Sequence, residues 1–390
     1  MNKKYSGINT RIKVLHINKL YHPWIGGVEK HVQDLCENLL PYDDISIQVL
    51  VCHEKMASED TIINGVRVKK LANLVNFFTK KTLLFSSPVS LTLPFWIRKL
   101  SADILHFHLP NPLAMAVYYI TRPKGKVVVT WHSDIVKQKK MLYFLTPLIH
   151  WFLNRTDTII TTSPNIIDSS PFLSEFRQKC VVIPLGINPE KYVLKDEDYA
   201  QIKQERAKAT MPLILFVGRL VYYKGVEYLV EAMKQVDAQL IIVGEGPLYT
   251  TVHEKIISNG LSNKISIVPS ASDYTLVKYF HSCDIFVLPS VSQSEAFGIV
   301  QLEAMKCSKP VISTNLPTGV PFVNQHGKTG IIVEPKDIDG LAKAINTLIH
   351  DPELRNSYGL YAKQRIEEEF TNEVMAKKVY NLYNTIMGRM

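Results

Sequence analysis

Two glutamates, Glu295 and Glu303, stand on either side of a glycine at the predicted start of a helix. An apolar strand, Asp284–Leu288, precedes them and a helical pattern begins near Phe297, so Glu295 is expected in the loop and Glu303 about two turns into the helix. Gly298 would let a ligand approach the first free backbone amides, which together with the helix dipole attract an anion. This spacing suits a sugar–diphosphate–nucleoside, because the amides would bind the diphosphate and each carboxylate one hydroxyl-bearing end. A strand–turn–helix unit with two solvated glutamates is the alternative.

Two cations follow the first predicted strand of the C-terminal half, Leu213–Val217. Gly218 frees the backbone at the end of this strand, and Arg219 and Lys224 come shortly after it. Arginine offers a bidentate fork and lysine a point charge, a combination that suits a diphosphate. Gly244 ends the next predicted strand and would let a ligand pass close to the backbone. Two solvated basic side chains in a loop are the alternative interpretation.

The N-terminal half has candidate residues after two of its predicted strands. Gly26 and Gly27 open a predicted helix after the first strand, where their backbone would meet a phosphate or a sugar. They form neither the G-x-G-x-x-G dinucleotide fingerprint nor a P-loop. His132 and Asp134 follow the strand Lys126–Trp131, where the imidazole would position a reacting sugar and the carboxylate an acceptor hydroxyl. An ordinary tight turn and a structural histidine are the alternatives.

No pattern in the sequence predicts a metal site. Asp196–Asp198 and Asp337–Asp339 match the D-x-D form of some nucleotide-bound metal sites. The first lies in a polar segment predicted as a hinge, and the second begins an ordinary helix, where acids favour the dipole. His and Cys lack the spacing of structural zinc sites. The five cysteines form no C-x-x-C pair and indicate buried thiols in a reducing compartment.

Strand and helix patterns alternate along both halves, as expected for two doubly wound α/β domains with parallel sheets. We predict an N-terminal domain over residues 1–186 and a C-terminal domain over residues 187–371, with a polar hinge that continues to Ala209. The last predicted helix, within residues 372–390, would be able to pack back on the N-terminal domain. In such sheets, ligands bind outside the carboxyl ends of the strands.

The net charge of +9 is confined to the N-terminal half. Residues 1–190 contain 23 Lys and Arg against 14 Asp and Glu, whereas residues 191–390 contain 22 of each class. A positive field favours an anionic partner, such as nucleic acid, an anionic membrane surface or a phosphorylated acceptor. No nucleic-acid motif accompanies the charge. With 46% hydrophobic residues and no apolar run long enough to cross a bilayer, the chain is expected to be a cytoplasmic protein.

Taken together, these residues resemble the retaining, nucleotide-sugar-dependent glycosyltransferases of family 4, which have the GT-B fold of two Rossmann-like domains facing across a cleft. The resemblance covers nearly the whole chain. The matching parts are Gly26–Gly27, His132–Asp134, Gly218–Arg219 with Lys224, Gly244–Gly246, and Glu295 with Glu303. It implies a hexosyl transfer that needs no metal or cofactor, with the donor on the C-terminal domain and the acceptor on the N-terminal one.

The resemblance also implies roles for individual residues. Arg219 and Lys224 would clamp the diphosphate and stabilise the leaving nucleotide, while His132 and Glu295 would hold the donor sugar and complete the catalytic set. Glu303 would bind the ribose hydroxyls. Neither glutamate is expected to be a nucleophile, because a departing phosphate oxygen would accept the acceptor's proton in a front-face substitution. The remaining implied donor contacts are Gly26, Gly27, Gly218, Gly244, Ala271, Phe297, Gly298, Ile299 and Val300, with Asp134 on the acceptor side.

Within the family, the segments Leu15–Tyr21, His108–Pro112 and Thr130–Lys137 are similar to GDP-mannose-dependent mannosyltransferases of bacterial O-antigen and exopolysaccharide assembly. This similarity implies transfer of mannose onto a polyprenyl-diphosphate-linked or other lipid-linked saccharide. Pro269 departs from the glycine that the family often has near the nucleotide base, so a UDP-N-acetylglucosamine or UDP-glucose donor is an alternative. A non-catalytic nucleotide-sugar-binding relative is another.

Three segments of the N-terminal half mix basic and aromatic residues: Phe77–Lys81, Phe95–Lys99 and Lys137–Leu153. Such segments can lie in a membrane interface with the basic side chains near anionic headgroups. We therefore expect peripheral association with the inner face of the plasma membrane. The alternative is that the apolar residues belong to the core and the basic residues to a solvated face.

Overall fold

The protein is described by a computed structural model that covers residues 11–24, 26–73, 90–134 and 139–389, without the side chains of residues 139–141. It divides into two compact units. The first unit comprises Met1–Thr162, Ser170–Ile183 and Asn372–Met390, and the second comprises Ser163–Ser169 and Pro184–Thr371. The segment Phe77–Lys81 and residue Lys137, which the sequence suggested for membrane contact, lie outside the described residues.

The described part of the first unit contains an eight-stranded sheet with the order β3-β4-β2-β1-β5-β6-β7-β8. All neighbours are parallel except β3 and β4. The sheet core strands are buried on both faces, which explains their long apolar runs. The strands are β1 Ile12–Ile17, β2 Ile45–Cys52, β3 Glu59–Ile63, β4 Val66–Leu71, β5 Ile104–Leu109, β6 Lys126–Trp131, β7 Thr158–Thr161 and β8 Cys180–Val182.

The second unit contains a parallel six-stranded sheet with the order β11-β10-β9-β12-β13-β14. The strand order reverses between β9 and β12, and in doubly wound sheets ligands bind at the carboxyl ends beside this reversal. The strands are β9 Leu213–Val217, β10 Gln239–Val243, β11 Ile265–Val268, β12 Ile285–Leu288, β13 Val311–Thr314 and β14 Gly330–Val333.

Helices cover both sheets. They are α1 Gly27–Leu39, α2 Leu93–Lys99, α3 Pro112–Thr121, α4 Lys139–Arg155, α5 Pro164–Ser169, α6 Asp196–Lys208, α7 Val226–Ala232, α8 Tyr249–Ser258, α9 Asp273–Ser282, α10 Ile299–Lys306, α11 Val320–Val323, α12 Ile338–His350, α13 Pro352–Glu369 and α14 Asn372–Ile386. Among the described residues, none of these helices combines the length and hydropathy needed to cross a bilayer.

The C-terminal helix α14 belongs to the first unit, where it packs beside α1. Val32, Leu35 and Leu39 of α1 and Val379 and Tyr383 of α14 are buried in one core cluster with the sheet. Their spacing of three or four residues places them on one face of each helix. The two helices therefore share one face of the sheet, and α14 closes the fold of the first unit.

Three sequence predictions of local structure were wrong. The polar segment predicted as a hinge up to Ala209 is largely helix α6, whose first turn carries three acids that suit the helix dipole. The edge strand β3 was missed, because an edge strand lacks the apolar run of a buried one. Helix α10 begins at Ile299 because Gly298 has a left-handed backbone, so Glu303 lies only one turn into the helix.

Candidate active site

The strand reversal of the second unit brings two loops together. Helix α7 begins after Gly225, whose backbone is left-handed with a φ of 66°. A Cβ atom there would lie 2.1 Å from the carbonyl oxygen of Pro289, at the end of β12. The amide of Val291 also donates to the carbonyl of Tyr223 at 2.8 Å. Only glycine permits this approach, which holds the loop after β9 against the loop after β12.

Lys224 and Glu295 form a buried ion pair between these loops. The Lys224 Nζ atom lies 2.6 Å from Glu295 Oε2, and each side chain is only about a tenth exposed, at 11% and 10%. The hydroxyl of Ser290, which is fully buried, donates to the same carboxylate oxygen at 3.0 Å. Glu295 therefore has two protein partners, Lys224 from the loop after β9 and Ser290 from the loop after β12.

Arg219 is the exposed cation of the site. Its side chain lies directly after β9, and it has no ion pair among the residues that the structure describes. The aliphatic part of Lys224 passes Gly218, where an added Cβ would lie 3.4 Å from Lys224 Cε. A Cβ at Gly244 would lie 2.1 Å from the carbonyl oxygen of Gly218. The small residues at these strand ends therefore leave room for the Lys224 side chain and for the close approach of the two strand-end loops.

The first turn of α10 supplies amides beside the ion pair. Gly298 is the N-cap with a φ of 72°, and no side chain caps the helix. An added Cβ at Gly298 would lie 2.7 Å from the side chain of Leu288. Within the described part of the chain, the first-turn amides of Ile299 and Val300 therefore have no side-chain partner. Phe297 is buried, so only its backbone is available for a ligand.

Glu303 is partly buried and lies beside Tyr192, a residue that the sequence analysis did not predict. Burial raises the pKa of Glu303 to about 7, and the nearby Tyr192 hydroxyl and the charge of Lys224 oppose this effect only in part. Tyr192 lies in a short 3-10 helix, Pro189–Tyr192, which carries no recognisable motif. Ala271, predicted to meet the base, is partly buried just before α9.

The first unit holds the other predicted residues. Gly26 is the N-cap of α1 and Gly27 its first residue, and no side chain from the described residues caps this helix. His132 follows β6 and is buried, with Nε2 3.2 Å from Nδ1 of His108. Asp134 accepts hydrogen bonds from Trp131 Nε1 at 3.0 Å and from the Ser170 hydroxyl at 2.8 Å.

These contacts give Asp134 a structural role of its own, and burial raises its pKa.

The two D-x-D segments also have protein partners. Asp198 accepts a hydrogen bond from Tyr274 and pairs with Lys278. Asp337 caps α12 by accepting from the amide of Gly340 at 2.9 Å.

Family models and known relatives identify both units as parts of a glycosyltransferase. The model of "Glycosyltransferase Family 4" matches residues 25–191, and that of "Glycosyl transferases group 1" matches residues 198–365. The O-antigen chain mannosyltransferase C of Escherichia coli is 32% identical over 382 residues, which cover 96% of this chain and 99% of the relative. The D-rhamnosyltransferase WbpZ of Pseudomonas aeruginosa is 31% identical over 363 residues, which cover 92% of each chain.

A solved structure supports the same fold. HepE from Anabaena in complex with UDP superposes with a TM-score of 0.77 at 19% identity, over 96% of this chain and 100% of that one. The prediction of two Rossmann-like domains is thereby confirmed. Given the whole-length similarity to the mannosyltransferase from Escherichia coli, the chain belongs to the family 4 glycosyltransferases with the GT-B fold.

Proposed function

We propose that the protein transfers mannose from GDP-mannose to a lipid-linked saccharide in bacterial surface polysaccharide assembly. The observation that carries a nucleotide-sugar donor is the anion site of the second unit. One exposed cation, Arg219, one paired cation, Lys224, and the uncapped first turn of α10 converge at the strand reversal. Such a site suits a diphosphate, which binds to fixed cations and to helix N-terminal amides.

The ion pair of Lys224 and Glu295 explains how the site would treat a donor. The ion pair with Glu295 orients the Lys224 ammonium group before a donor arrives, and the diphosphate would then be a second anion beside it. As the sugar departs, negative charge grows on the phosphate oxygen. Arg219 and Lys224 would stabilise that charge without reorganising. These two side chains are the residues we propose to carry the rate acceleration.

We further propose a front-face substitution that retains the anomeric configuration. Glu295 is held by Lys224 and Ser290, which orients it for hydrogen bonding to a sugar hydroxyl rather than for attack on the anomeric carbon. The departing phosphate oxygen would take the proton of the acceptor hydroxyl as the new glycosidic bond forms. No divalent ion is needed in this scheme, because two side-chain cations would face the diphosphate.

The identity of the sugar rests on the relatives. One relative is named as an O-antigen chain mannosyltransferase and another as a D-rhamnosyltransferase. D-Rhamnose is mannose without its 6-hydroxyl group, so both names favour a manno-configured donor. The structure of HepE contains UDP, and this favours a UDP-sugar as the second candidate.

A donor panel tests the proposal. Thermal unfolding would be measured with GDP, UDP and ADP, and then with GDP-mannose, GDP-D-rhamnose, UDP-glucose and UDP-N-acetylglucosamine. A ligand that binds only the folded protein raises its stability, so the true donor gives the largest shift. Transfer to a synthetic polyprenyl-diphosphate saccharide, followed by NMR of the product, would then identify the sugar and its anomeric configuration. Selective stabilisation by UDP-sugars would contradict a GDP-mannose donor, and a β-linked product would contradict retention.

We also propose that the first unit docks on an anionic membrane surface. Helices α2, α3 and α4 pack side by side, and each exposes aromatic or aliphatic side chains. Tyr143 and Phe144 of α4 are both 79% exposed, and Ile120 of α3 is 71% exposed. Arg122 lies over the Trp151 ring at 5.7 Å on the same group of helices. A basic and aromatic surface of this kind suits the headgroup region, where a lipid-linked acceptor presents its saccharide.

A further inference from the structure

A row of buried histidines crosses the sheet of the first unit behind His132. His16 lies on β1, and His106 and His108 alternate on the neighbouring strand β5, where His16 pairs in register with His106. These three side chains are at most 1% exposed, and His132 is 7% exposed. Buried imidazoles are unfavourable unless their nitrogens are hydrogen-bonded. The strand order of this sheet reverses between β1 and β5, so the row also lies at the reversal of the first unit.

The inner part of the row is anchored by two hydroxyl groups. His106 Nε2 lies 2.7 Å from the Thr130 hydroxyl, and His106 Nδ1 lies 2.6 Å from the Tyr383 hydroxyl. The same Tyr383 oxygen lies 3.3 Å from His16 Nε2. Tyr383 comes from α14, so the C-terminal helix joins the histidines of two strands.

The outer part of the row leads to the sequence-predicted site residue. His16 Nδ1 lies 3.1 Å from His108 Nε2, and His108 Nδ1 lies 3.2 Å from His132 Nε2. Nδ1 of His132 has no hydrogen-bond partner among the described residues, so it is the free end of the row. Every other ring nitrogen in the row has one partner within the row.

The hydrogen atoms of this row can be placed in two ways. A neutral imidazole has one donor and one acceptor nitrogen, and a hydroxyl group both donates and accepts. When the Thr130 hydroxyl donates into the row, every bond points outward and His132 carries its proton on Nδ1. When all bonds point inward, His132 carries its proton on Nε2 and Nδ1 becomes an acceptor. Both arrangements contain the same number of protons and leave every group in the row neutral.

The surroundings favour the neutral form of every ring. Burial lowers the pKa of His16 to about 3, and it lowers the pKa of His106, His108 and His132 well below their ordinary range. A neutral row suits a neutral ligand group. A sugar hydroxyl both donates and accepts, so it matches either direction of the row, whereas a phosphate would favour a charged imidazolium.

We propose that His108, His16 and Tyr383 are positioning residues for His132, which they hold in one orientation and allow to act as donor or acceptor toward a hydroxyl group of the hexose. This inference rests on the proposed glycosyl transfer and on the role that the family resemblance implies for His132, which is contact with the transferred sugar. Whether His132 Nδ1 donates or accepts therefore depends on Tyr383, which is three hydrogen bonds away along the row. The C-terminal helix thereby contributes to the site through Tyr383.

A metal ion is the competing occupant of this region. Ring nitrogens of His31, His108 and His132 lie within 4.8 Å of one another, and both nitrogens of His31 lack partners among the described residues. The hydrogen bonds of the row disfavour a metal ion at this position. His108 uses its opposite nitrogens for His16 and His132, so an ion that took His108 Nδ1 would break the link to His132.

The test compares variants that cut the row at known links. Tyr383→Phe removes the hydroxyl between His16 and His106, and Tyr380→Phe is its matched control. Tyr380 lies on the same helix, and its hydroxyl donates to Asp44 at 3.0 Å, outside the row. At His108, asparagine retains a polar group near the position of Nδ1 and glutamine retains one near Nε2. His108→Asn therefore keeps the link to His132, and His108→Gln loses it.

Two measurements are made on each variant. Imidazole 15N NMR of the full chain reports the tautomer of His132. Kinetics with the donor selected by the thermal-unfolding panel report kcat and KM. We expect Tyr383→Phe and His108→Gln to change the tautomer ratio of His132 and to lower kcat roughly tenfold, as a small misplacement of a reacting group does. Tyr380→Phe should keep kcat within about threefold of the wild type. His108→Asn keeps the link to His132 but cuts the row from His16 and Tyr383, so it should change the tautomer ratio of His132 as Tyr383→Phe does.

An unchanged His132 tautomer in both Tyr383→Phe and His108→Gln would overturn the proposal, whatever their activity. So would one tightly bound equivalent of zinc that replaces the imidazole signals of His31, His108 and His132. Circular dichroism establishes that each variant is folded. The NMR comparison needs no substrate, so a failure of the glycosyltransfer assay in the wild type would count against the proposed function and leave the test of the row intact.

Discussion

The ammonium group of Lys224 lies 2.6 Å from the carboxylate of Glu295, and Ser290 donates to the same carboxylate oxygen. The pair joins the loop after β9 to the loop after β12, the two strands at which the strand order reverses. Both charges are nearly buried, so each depends on the other for compensation. The same two residues therefore hold the site together and, in our proposal, bind the donor.

Removing one partner of this pair should destabilise the protein more than removing both. Lys224→Met leaves the Glu295 carboxylate buried without its cation, and we expect a loss of about 3 kcal/mol in the free energy of unfolding. The double variant Lys224→Met/Glu295→Gln should recover most of that loss, because no charge is left unpaired. Urea unfolding of the wild type, the single variants Lys224→Met and Glu295→Gln, and the double variant forms a double-mutant cycle. The cycle measures the coupling free energy between the two side chains.

Arg219→Met separates catalysis from stability. Arg219 is exposed and unpaired among the described residues, so its loss should change the free energy of unfolding by no more than about 0.5 kcal/mol. It should nevertheless lower kcat by roughly 100-fold, as expected when one group that stabilises developing charge is removed. Arg219→Met with wild-type kcat would refute the diphosphate clamp, because its fold would be intact.

The sequence was sufficient to predict which side chains stand at the strand ends. Glu295, Arg219 and Lys224 each follow a recognisable apolar strand, and parallel strands place their carboxyl ends at one edge. The contact between Lys224 and Glu295 was not predictable. It depends on the approach of Gly225 to Pro289, which is a long-range property of two loops without local periodicity.

Two other features were missed for similar reasons. Tyr192 reaches Glu303 from a 3-10 helix more than a hundred residues earlier in the chain, and nothing in its neighbourhood marks it. The histidine row had a weak signal in His106 and His108, which alternate on a strand whose other residues are apolar. Metal-site spacing rules did not detect it, because the row is assembled across strands and includes Tyr383.

Donor binding should weaken as the pH falls through 7. Burial raises the pKa of Glu303 to about 7, and the family resemblance implies that this carboxylate binds the ribose hydroxyls. Only the ionised form would accept a hydrogen bond from both hydroxyls. Below pH 7 each further pH unit should weaken binding by up to about tenfold. Isothermal titration with GDP-mannose between pH 5.5 and 8.5 measures this, because its diphosphate does not titrate in that range. Glu303→Gln should bind more weakly at pH 8 and show no such dependence, and a wild-type affinity that is constant over this range would contradict the assignment.

The buried histidines should make the protein sensitive to acid. Burial lowers the pKa of His31 to about 4 and that of His16 to about 3, whereas in the unfolded chain both lie near 6.5. Below pH 6.5 the unfolded chain binds protons that the folded protein does not, so the free energy of unfolding falls as the pH decreases toward 4. Each such histidine contributes up to about 1.4 kcal/mol per pH unit.

His31→Leu tests this account, because His31 has no hydrogen-bond partner to lose among the described residues. The slope of stability against pH between 6 and 5 should become flatter by the contribution of one histidine. His253→Leu, at an exposed position of α8, controls for the loss of a histidine as such. A wild-type stability that stays constant from pH 7 to pH 5 would contradict this account. It would show that the imidazoles take up protons in the folded protein as they do in the unfolded chain.

Transfer activity should survive removal of divalent ions. In our proposal, Arg219 and Lys224 provide the positive charge for the leaving diphosphate, so we expect kcat in excess EDTA to stay within about twofold of its value in Mg²⁺. Initial rates after extensive dialysis against EDTA measure this. A strict requirement for Mn²⁺ or Mg²⁺ would mean that the two side chains do not suffice.

Binding to anionic vesicles should depend on the exposed aromatic pair of α4. Tyr143 and Phe144 project into solvent, and inserting them into a headgroup region would bury apolar surface worth on the order of 2 kcal/mol each. In flotation with phosphatidylglycerol vesicles, Tyr143→Ser/Phe144→Ser should therefore reduce the bound fraction by roughly tenfold or more. The matched control is Leu360→Ser/Tyr361→Ser, an exposed pair in the second unit, which should bind like the wild type. Added salt should weaken binding, because the basic residues of the first unit are screened. Equal flotation of the two double variants would place the membrane contact elsewhere on the chain.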